Sequence, residues 1–331
     1  MGSRSRGLLE PITLGATVVP TRLFLAPMAG YSDAPFRALC AEQGASLCYA
    51  EMVSAEAIHR GSDQTLRLLD RFPGERFVGH QIFASSTAAA AAAVRAIHAL
   101  RPTVVDLNCG CSVPKVLRSG CGAALLRDPR LVGDLVRAMR DETDLPVTVK
   151  LRLGWDEGSL TWMACAEEAV KSGAAAVALH PRTRGQGFSG RARWDALARL
   201  KAAMPVPVFG SGDLFSARDA AAMADETGVD AVMIARGTLG NPFIFAEIRA
   251  LLEGREVHVT RRQRLELALR HLEGHVERRG EPQACREMRK HFVAYTKGME
   301  GGAAFRQAIV HAETLARYRE LVDDFLASPG D

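Results

Sequence analysis

Apolar and polar positions along the chain follow two alternating periods. Short apolar or β-branched runs, each closed by turn residues, are followed by longer segments with helical spacing. The runs predict eight strands, at 22–27, 46–51, 76–82, 103–108, 147–152, 175–180, 206–210 and 230–235. Helices are predicted at 33–43, 62–71, 86–99, 128–143, 160–172, 193–203, 216–226 and 243–252. Ser32-Asp33, Ser85-Ser86, Asp128-Pro129 and Ser216 stand where the unpaired N–H groups of a first turn need an acceptor, or where Pro fits that turn. Gly44, Gly173 and Gly228 stand where helices end in a left-handed residue. The alanine run 88–93 reads as helix, because alanine is the best helix former.

Eight strands alternating with eight helices predict an α/β fold, a (β/α)8 TIM barrel. A doubly wound sheet is the alternative, and it usually has fewer strands. The segment 12–20 predicts a hairpin that plugs the barrel floor. Beyond residue 254 the periodicity is helical only. We therefore expect a barrel domain over 1–254 and an all-helical domain over 255–331.

Composition narrows the class. With 47% hydrophobic and 24% charged residues in a chain of 331, disorder, collagen and disulfide miniproteins are excluded. No apolar run approaches the roughly 18–20 residues that span a bilayer, so no membrane partner is expected. The start, Met1 to Arg6, is polar with no signal-peptide core behind it, and a cytoplasmic location is expected. Seven cysteines, most of them within apolar segments, suggest reduced thiols. No protein partner is inferred. The net charge of +4 is modest, but residues 255–297 hold 11 Lys and Arg, with basic residues in excess, and His258, His271, His275 and His291.

Active sites of such barrels lie at the C-terminal strand ends. Those ends carry Pro27, Met28, Ala29 and Gly30, then Glu51, Gln81, and Asn108-Cys109-Gly110-Cys111. They continue with Lys150-Leu151-Arg152, His180-Pro181-Arg182, Gly210-Ser211-Gly212-Asp213 and Ala235-Arg236-Gly237. The glycines after strands 7 and 8, together with Arg236, predict a phosphate site, since small residues let backbone N–H groups approach an anion. Lys150 either reaches solvent from its strand end or is a buried ammonium that needs a partner. Cys111 is an inert loop thiol or a nucleophile or general acid. Cys109, Cys111 and Cys121 lack a standard metal-ligand spacing, and no metal is expected there. Residues 182–193 carry Arg182, Arg184, Arg191 and Arg193 among three glycines, predicting a mobile basic loop that is either simply solvated or faces a phosphate-rich substrate.

Several segments together resemble the tRNA-dihydrouridine synthases. They are Ala26-Pro27-Met28-Ala29-Gly30-Tyr31-Ser32-Asp33, Asp106-Leu107-Asn108-Cys109-Gly110-Cys111, Val149-Lys150-Leu151-Arg152, His180-Pro181-Arg182-Thr183-Arg184 and Gly210-Ser211-Gly212-Asp213, with Met288-Arg289-Lys290-His291 in the tail. Their order and spacing agree from about residue 10 to 325. The resemblance implies an FMN-dependent barrel, reduced by NADPH, with a C-terminal tRNA-binding domain. It implies hydride delivery to C6 of a flipped-out uracil and a proton from Cys111 to C5. It implies Pro27, Met28 and Ala29 along the flavin ring, and Gln81 and Lys150 at its polar edge. His180, Ser211, Gly212, Asp213, Ala235 and Arg236 would hold the ribityl phosphate. Asn108, Arg152, Arg182 and Arg184 would serve the substrate. So would Arg286, Arg289 and Lys290, on a helix expected through 284–299 with Lys297 in the same basic group. This chain has Ser112 where the family often has Pro, Ser211 where Asn is usual, and Ala235 where Gly is usual. Rival readings are a small-molecule FMN oxidoreductase of the dihydroorotate or dihydropyrimidine dehydrogenase type, and a barrel that binds RNA without catalysis.

Overall fold

The computed structural model describes residues 2–327. Eight parallel strands form a closed ring: β1 (Leu23–Leu25), β2 (Leu47–Tyr49), β3 (Val78–Phe83), β4 (Val104–Cys109), β5 (Val147–Arg152), β6 (Ala176–His180), β7 (Val208–Gly210) and β8 (Ala231–Ile234). Each strand pairs with the next, and β8 pairs back onto β1. Closure leaves no exposed strand edge in this ring. The predicted TIM barrel is therefore the observed fold.

Strand parity sorts the side chains. Val104, Ala176, Ala178, Phe209, Ala231 and Met233 turn inward and pack on Ile12, Leu14 and Val19. Those last three belong to an antiparallel hairpin, Ile12–Leu14 with Thr17–Val19, which plugs the floor as expected. Leu107, Cys109, Val149 and Leu151 turn outward into the apolar layer beneath the helices. The register sets Gln81 and Thr148 beside Asp106, Asn108 beside Lys150, and Arg152 beside His180. Polar side chains of neighbouring strands thus share the upper levels of the barrel.

The surrounding helices are α1 (Ala34–Glu42), α2 (Ala55–His59), α3 (Thr87–His98), α4 (Pro129–Arg140), α5 (Trp162–Lys171), α6 (Trp194–Ala203), α7 (Ala217–Thr227) and α8 (Ile244–Leu252). Asp33, Ser86, Asp128 and Ser216 cap α1, α3, α4 and α7 with side-chain acceptors, as the sequence predicts. The second connection differs from its prediction. A single helix over 62–71 is replaced by α2, a left-handed Gly61 (φ 81), one turn at Asp63–Leu66 and a 3-10 turn at Arg67–Leu69. Ser54 and Ser62 each cap a new start, so the polar punctuation divides the segment.

Four helices follow: α9 (Arg261–Arg279), α10 (Glu281–Tyr295), α11 (Gly302–Ile309) and α12 (Leu315–Ala327). Residues 328–331 of the expected helical domain lie outside the described residues. Met288, Phe292 and Tyr295 share the buried face of α10, and pack with Leu272, Phe305 and Tyr318. Helix α10 ends four residues before its predicted end. Thr296 Oγ1 turns back to donate to Phe292 O, and Gly298 is left-handed, so Lys297 lies beyond the helix. Leu39 of α1 belongs to this second core, and the pairs Arg270–Glu42 (2.7 Å) and Arg278–Asp70 (3.1 Å) flank the contact with the barrel. No helix among the described residues is long and apolar enough to cross a membrane.

Arg37 of α1 is fully buried. It donates to Glu75 (2.6 and 3.0 Å), Ser32 O (2.9 Å) and Asp70 O (2.7 Å). Removing one partner of such a pair strands a buried charge. Glu75→Ala is expected to cost about 3–5 kcal/mol in urea unfolding; a cost below about 1 kcal/mol, the range of an exposed pair, would show that Glu75 does not anchor this connection.

Candidate active site

A cavity of about 480 Å³ opens at the C-terminal strand ends. Pro27, Met28 and Ala29 line one wall, and Gln81, Asn108 and Cys111 another. Lys150, Arg152 and His180 line it from β5 and β6. Ser211, Gly212, Asp213, Ala235 and Arg236 contribute from the loops after β7 and β8. One space therefore collects residues that are scattered through the chain.

A chain of hydrogen bonds organises the wall beneath Cys111. Asp106 is buried at the middle level, where Thr148 Oγ1 (2.5 Å) and Gln81 Nε2 (2.6 Å) donate to its two oxygens. Gln81 Oε1 accepts from Asn108 Nδ2 (2.7 Å). Asn108 Oδ1 then accepts from the N–H groups of Gly110 (3.1 Å) and Cys111 (2.9 Å). From the other side Arg152 Nε donates to Gly110 O (2.8 Å). The loop carrying the thiol is held through its own peptide groups. Gln81 thereby uses one N–H on Asp106 and its oxygen on Asn108, which leaves its second N–H. Burial raises Asp106 to about 6, opposed by its two donors and by Lys150.

The cavity is electropositive. Burial lowers Lys150 to about 8, with Arg152 adding repulsion, and burial lowers Arg152 to about 10, with Arg182 adding repulsion. His180 is pushed well below its ordinary range by burial and by the cations Arg152, Lys150, Arg182 and Arg236, so its ring is neutral. Lys150 has no hydrogen-bond or ion-pair partner among the described residues, although Asp106 attracts it. This charge distribution suits an anionic ligand. Burial also raises the Cys111 thiol, opposed by a backbone hydrogen bond at Val113 and by Arg152. Cys111 is thus protonated at neutral pH. Cys109, the last residue of β4, has the outward parity of Leu107 and packs into the helical layer, whereas Cys111 lies in the loop past the strand end.

Other predicted residues lie differently. Arg182 is buried, and its guanidinium is used within the protein: on Asp213 (2.7 and 2.8 Å), Ser189 O, Gly190 O and His180. Arg152 also bonds Thr183 O and Gly187 O, so the 182–193 loop is fastened rather than loose. Arg184 lies over the Trp155 ring opposite Arg127, outside the cavity lining. On α10, Arg286 is exposed, Arg289 lies beside Tyr318, and Lys290 Nζ sits 4.8 Å from the Tyr31 ring centre, next to the cavity. Tyr31, Met52, Phe188 and Phe215 complete the rim and were not among the predicted site residues. Phe188 and Phe215 are 57% and 52% exposed and flank Arg236 at 4.3 and 5.2 Å. Their one sequence signal is a large aromatic in a glycine-rich or strand-end loop.

Residues 24–328 match the family described as dihydrouridine synthase (Dus). The chain belongs to the dihydrouridine synthase family. It is 42% identical to a probable tRNA-dihydrouridine synthase of Treponema pallidum, over 97% of this chain and 98% of that one. A second relative, from Synechocystis, is 34% identical over 96% of this chain and 90% of its own. A Xanthomonas campestris protein named tRNA-dihydrouridine synthase B is 36% identical over 95% and 96%. Among solved structures, the old yellow enzyme homologue of Zymomonas mobilis aligns at TM-score 0.54 and 13% identity, covering 76% of this chain and 94% of that one. The 6-hydroxypseudooxynicotine amine oxidase of Pseudomonas geniculata aligns at TM-score 0.60 and 14% identity, covering 76% and 50%. At such low identity these two likenesses show the barrel fold alone.

Lys150 supplies the test of the cavity's charge. Its folded-state value of about 8 lies below the ordinary 10.5, so between these values the unfolded chain holds more protons. Its contribution to stability is lowest below pH about 8 and rises across that window. Lys150→Met is expected to stabilise the ligand-free protein at pH 7 by about 1–2 kcal/mol, less than the full shift because the ammonium reaches cavity solvent. The gain should fade above the ordinary lysine range. Urea unfolding across pH checks this, and a destabilised variant would contradict it.

Proposed function

We propose that this dihydrouridine synthase reduces uridines in tRNA to 5,6-dihydrouridine, with FMN as its resident cofactor and NADPH as reductant. The observation that carries this reading is a protonated thiol and an unpaired cation facing one cavity: Cys111 and Lys150. The names of the relatives supply the substrate class.

The residues present fit a flavin mononucleotide. Lys150 offers a donor with no protein acceptor, and Arg236 offers a second cation at the phosphate end. Gly212 has φ +110, and a Cβ there would meet His180 at 2.8 Å, so the backbone approaches the cavity where a side chain could not. Ser211 and Ala235 are small and leave the same approach open. Pro27, Met28 and Ala29 would lie along the ring, and Gln81 and Lys150 at its polar edge. A cation there would favour electron uptake by the ring. Asp213 accepts from Arg182, from the Ala192 N–H and weakly from Arg236, and so would set the phosphate loop rather than meet the phosphate. When bound, FMN supplies hydride to uracil C6.

The protein supplies the rest. A stacked base must leave its helix to enter a cavity of this kind. Cys111 holds a proton on Sγ and gives it to C5, on the face opposite the hydride. Burial keeps that proton in place until it is used. Asn108 and Arg152 fix the thiol's loop from two sides, so its direction is set before substrate arrives. Ser112, in the place of the family's frequent Pro, lines the cavity, while Pro114 opens the short helix Pro114–Arg118. The helical region, assigned to 255–331 as one domain, would hold the tRNA. Arg286 and Lys290 are exposed cations on the side of α10 that reaches Tyr31; Arg289 would act by shaping that surface, and Arg182 and Arg184 by holding the loop after β6. A tRNA substrate would fit a cytoplasmic location.

Cys111→Ala is expected to keep the flavin absorbance and to lose about 10²–10⁴-fold in turnover on tRNA, the usual contribution of a positioned acid. Unchanged turnover would remove Cys111 from this role. The double change Arg286→Ala, Lys290→Ala is expected to flatten the salt dependence of tRNA binding by about one unit of slope for each phosphate no longer neutralised. An unaltered slope in a titration over salt would put the RNA surface elsewhere.

A further inference from the structure

Helix α9 carries His271 and His275 one turn apart, so both rings project from one face. His291 of α10 and Asp33, at the start of α1, meet them there. Ligand atoms from the four residues lie within 4.8 Å of one another. Ring centres are 4.5 Å apart for His271 and His291, 5.2 Å for His271 and His275, and 6.3 Å for His275 and His291. The side chains of His271 and His275 are 0% and 6% exposed, and that of Asp33 is 14% exposed.

Polar groups so buried are ordinarily hydrogen-bonded. Here His271 Nε2 and both ring nitrogens of His275 have no hydrogen-bond partner among the described residues. His275 Nε2 lies 3.0 Å from Asp33 Oδ2 and His271 Nε2 lies 3.4 Å from Asp33 Oδ1, but neither approach has the alignment of a hydrogen bond. The nitrogens crowd the carboxylate at ion-pair distance, off the line of a well-formed hydrogen bond. A cation held by one nitrogen of each ring and by the carboxylate would satisfy one orphaned atom of His271 and one of His275 together.

We propose that Asp33, His271, His275 and His291 form a structural site for a divalent transition metal of the zinc class, one that clasps the barrel to the helical region. Three imidazoles and one carboxylate are a donor set that suits zinc. Bonds of about 2.0–2.1 Å place tetrahedral ligands about 3.3 Å apart, so the side chains close in by about 1 Å or more. Glu287 Oε2, 3.6 Å from His275 Nδ1, stands where it can orient that ring from outside, as carboxylates do around metal-bound histidines. Asp33 also caps α1 and ends the segment whose Met28 and Tyr31 line the cavity, so the clasp would fix that wall against α9 and α10.

The test uses the full chain, stripped with a chelator and titrated with Co²⁺ at neutral pH. The expected result is a visible tetrahedral cobalt spectrum saturating at about one metal per chain, displaced by Zn²⁺. Zn²⁺ should also raise the unfolding midpoint. Asp33→Asn keeps the acceptor for the Phe36 N–H and so keeps the helix cap, but weakens the ligand. Asp33→Asn and His275→Gln, checked for folding by circular dichroism, are each expected to weaken Co²⁺ binding beyond the about 10–100-fold that losing an outer-shell partner costs. Absence of the spectrum in the folded wild-type protein would overturn the proposal. So would a spectrum that survives undiminished in both folded variants, which would place the metal elsewhere.

Discussion

Everything at the cavity depends on one buried carboxylate. Asp106 sits inside a barrel whose lower half is apolar, and its ionised form survives there because Thr148 and Gln81 donate to it and Lys150 lies near. Gln81 is turned by that demand, Asn108 is turned by Gln81, and the peptide groups of Gly110 and Cys111 follow Asn108. A thiol in a loop would ordinarily sample many directions. This one inherits its position from strand register, through side chains whose amide orientations are set by their neighbours.

The sequence carried the architecture because closing a barrel needs only period and punctuation. Strand and helix boundaries were legible to within a few residues, and they failed where two serines and Gly61 introduced extra helix starts between β2 and β3. The cavity was legible because strand ends are identifiable from apolar runs, and 14 of the residues named for it face the same space: Pro27, Met28, Ala29, Gln81, Asn108, Cys111, Lys150, Arg152, His180, Ser211, Gly212, Asp213, Ala235 and Arg236. What one strand cannot disclose is parity. Lys150 could have faced solvent until pairing with Asn108 and Ala178 placed it inside. Arg182 and Arg184 illustrate a second limit. An arginine in a glycine-rich loop looks available to a ligand, yet one here anchors its own loop and the other stacks on Trp155. Asp33 and the three histidines were invisible as a group, because Asp33 and His271 stand 238 positions apart.

The segment from Pro27 to Asp33 joins the two halves of the molecule. Its first residues line the cavity, Tyr31 receives Lys290 on its face, and Asp33 meets the histidines of α9 and α10. Gly240, in the connection after β8, reinforces this seam, since a Cβ there would lie 2.2 Å from Ala294 O. A substrate too large for the cavity could thus be gripped by the helices while a single base is presented to Cys111, with both surfaces held in register by one short stretch of chain.

The most direct measurement is an anaerobic turnover of the flavin-loaded protein. The flavin is reduced with NADPH, tRNA lacking modifications is added, and the product is mapped by mass. The account predicts that the flavin reoxidises and that two hydrogens appear on a defined uridine. Flavin that stays reduced in the presence of tRNA would contradict it.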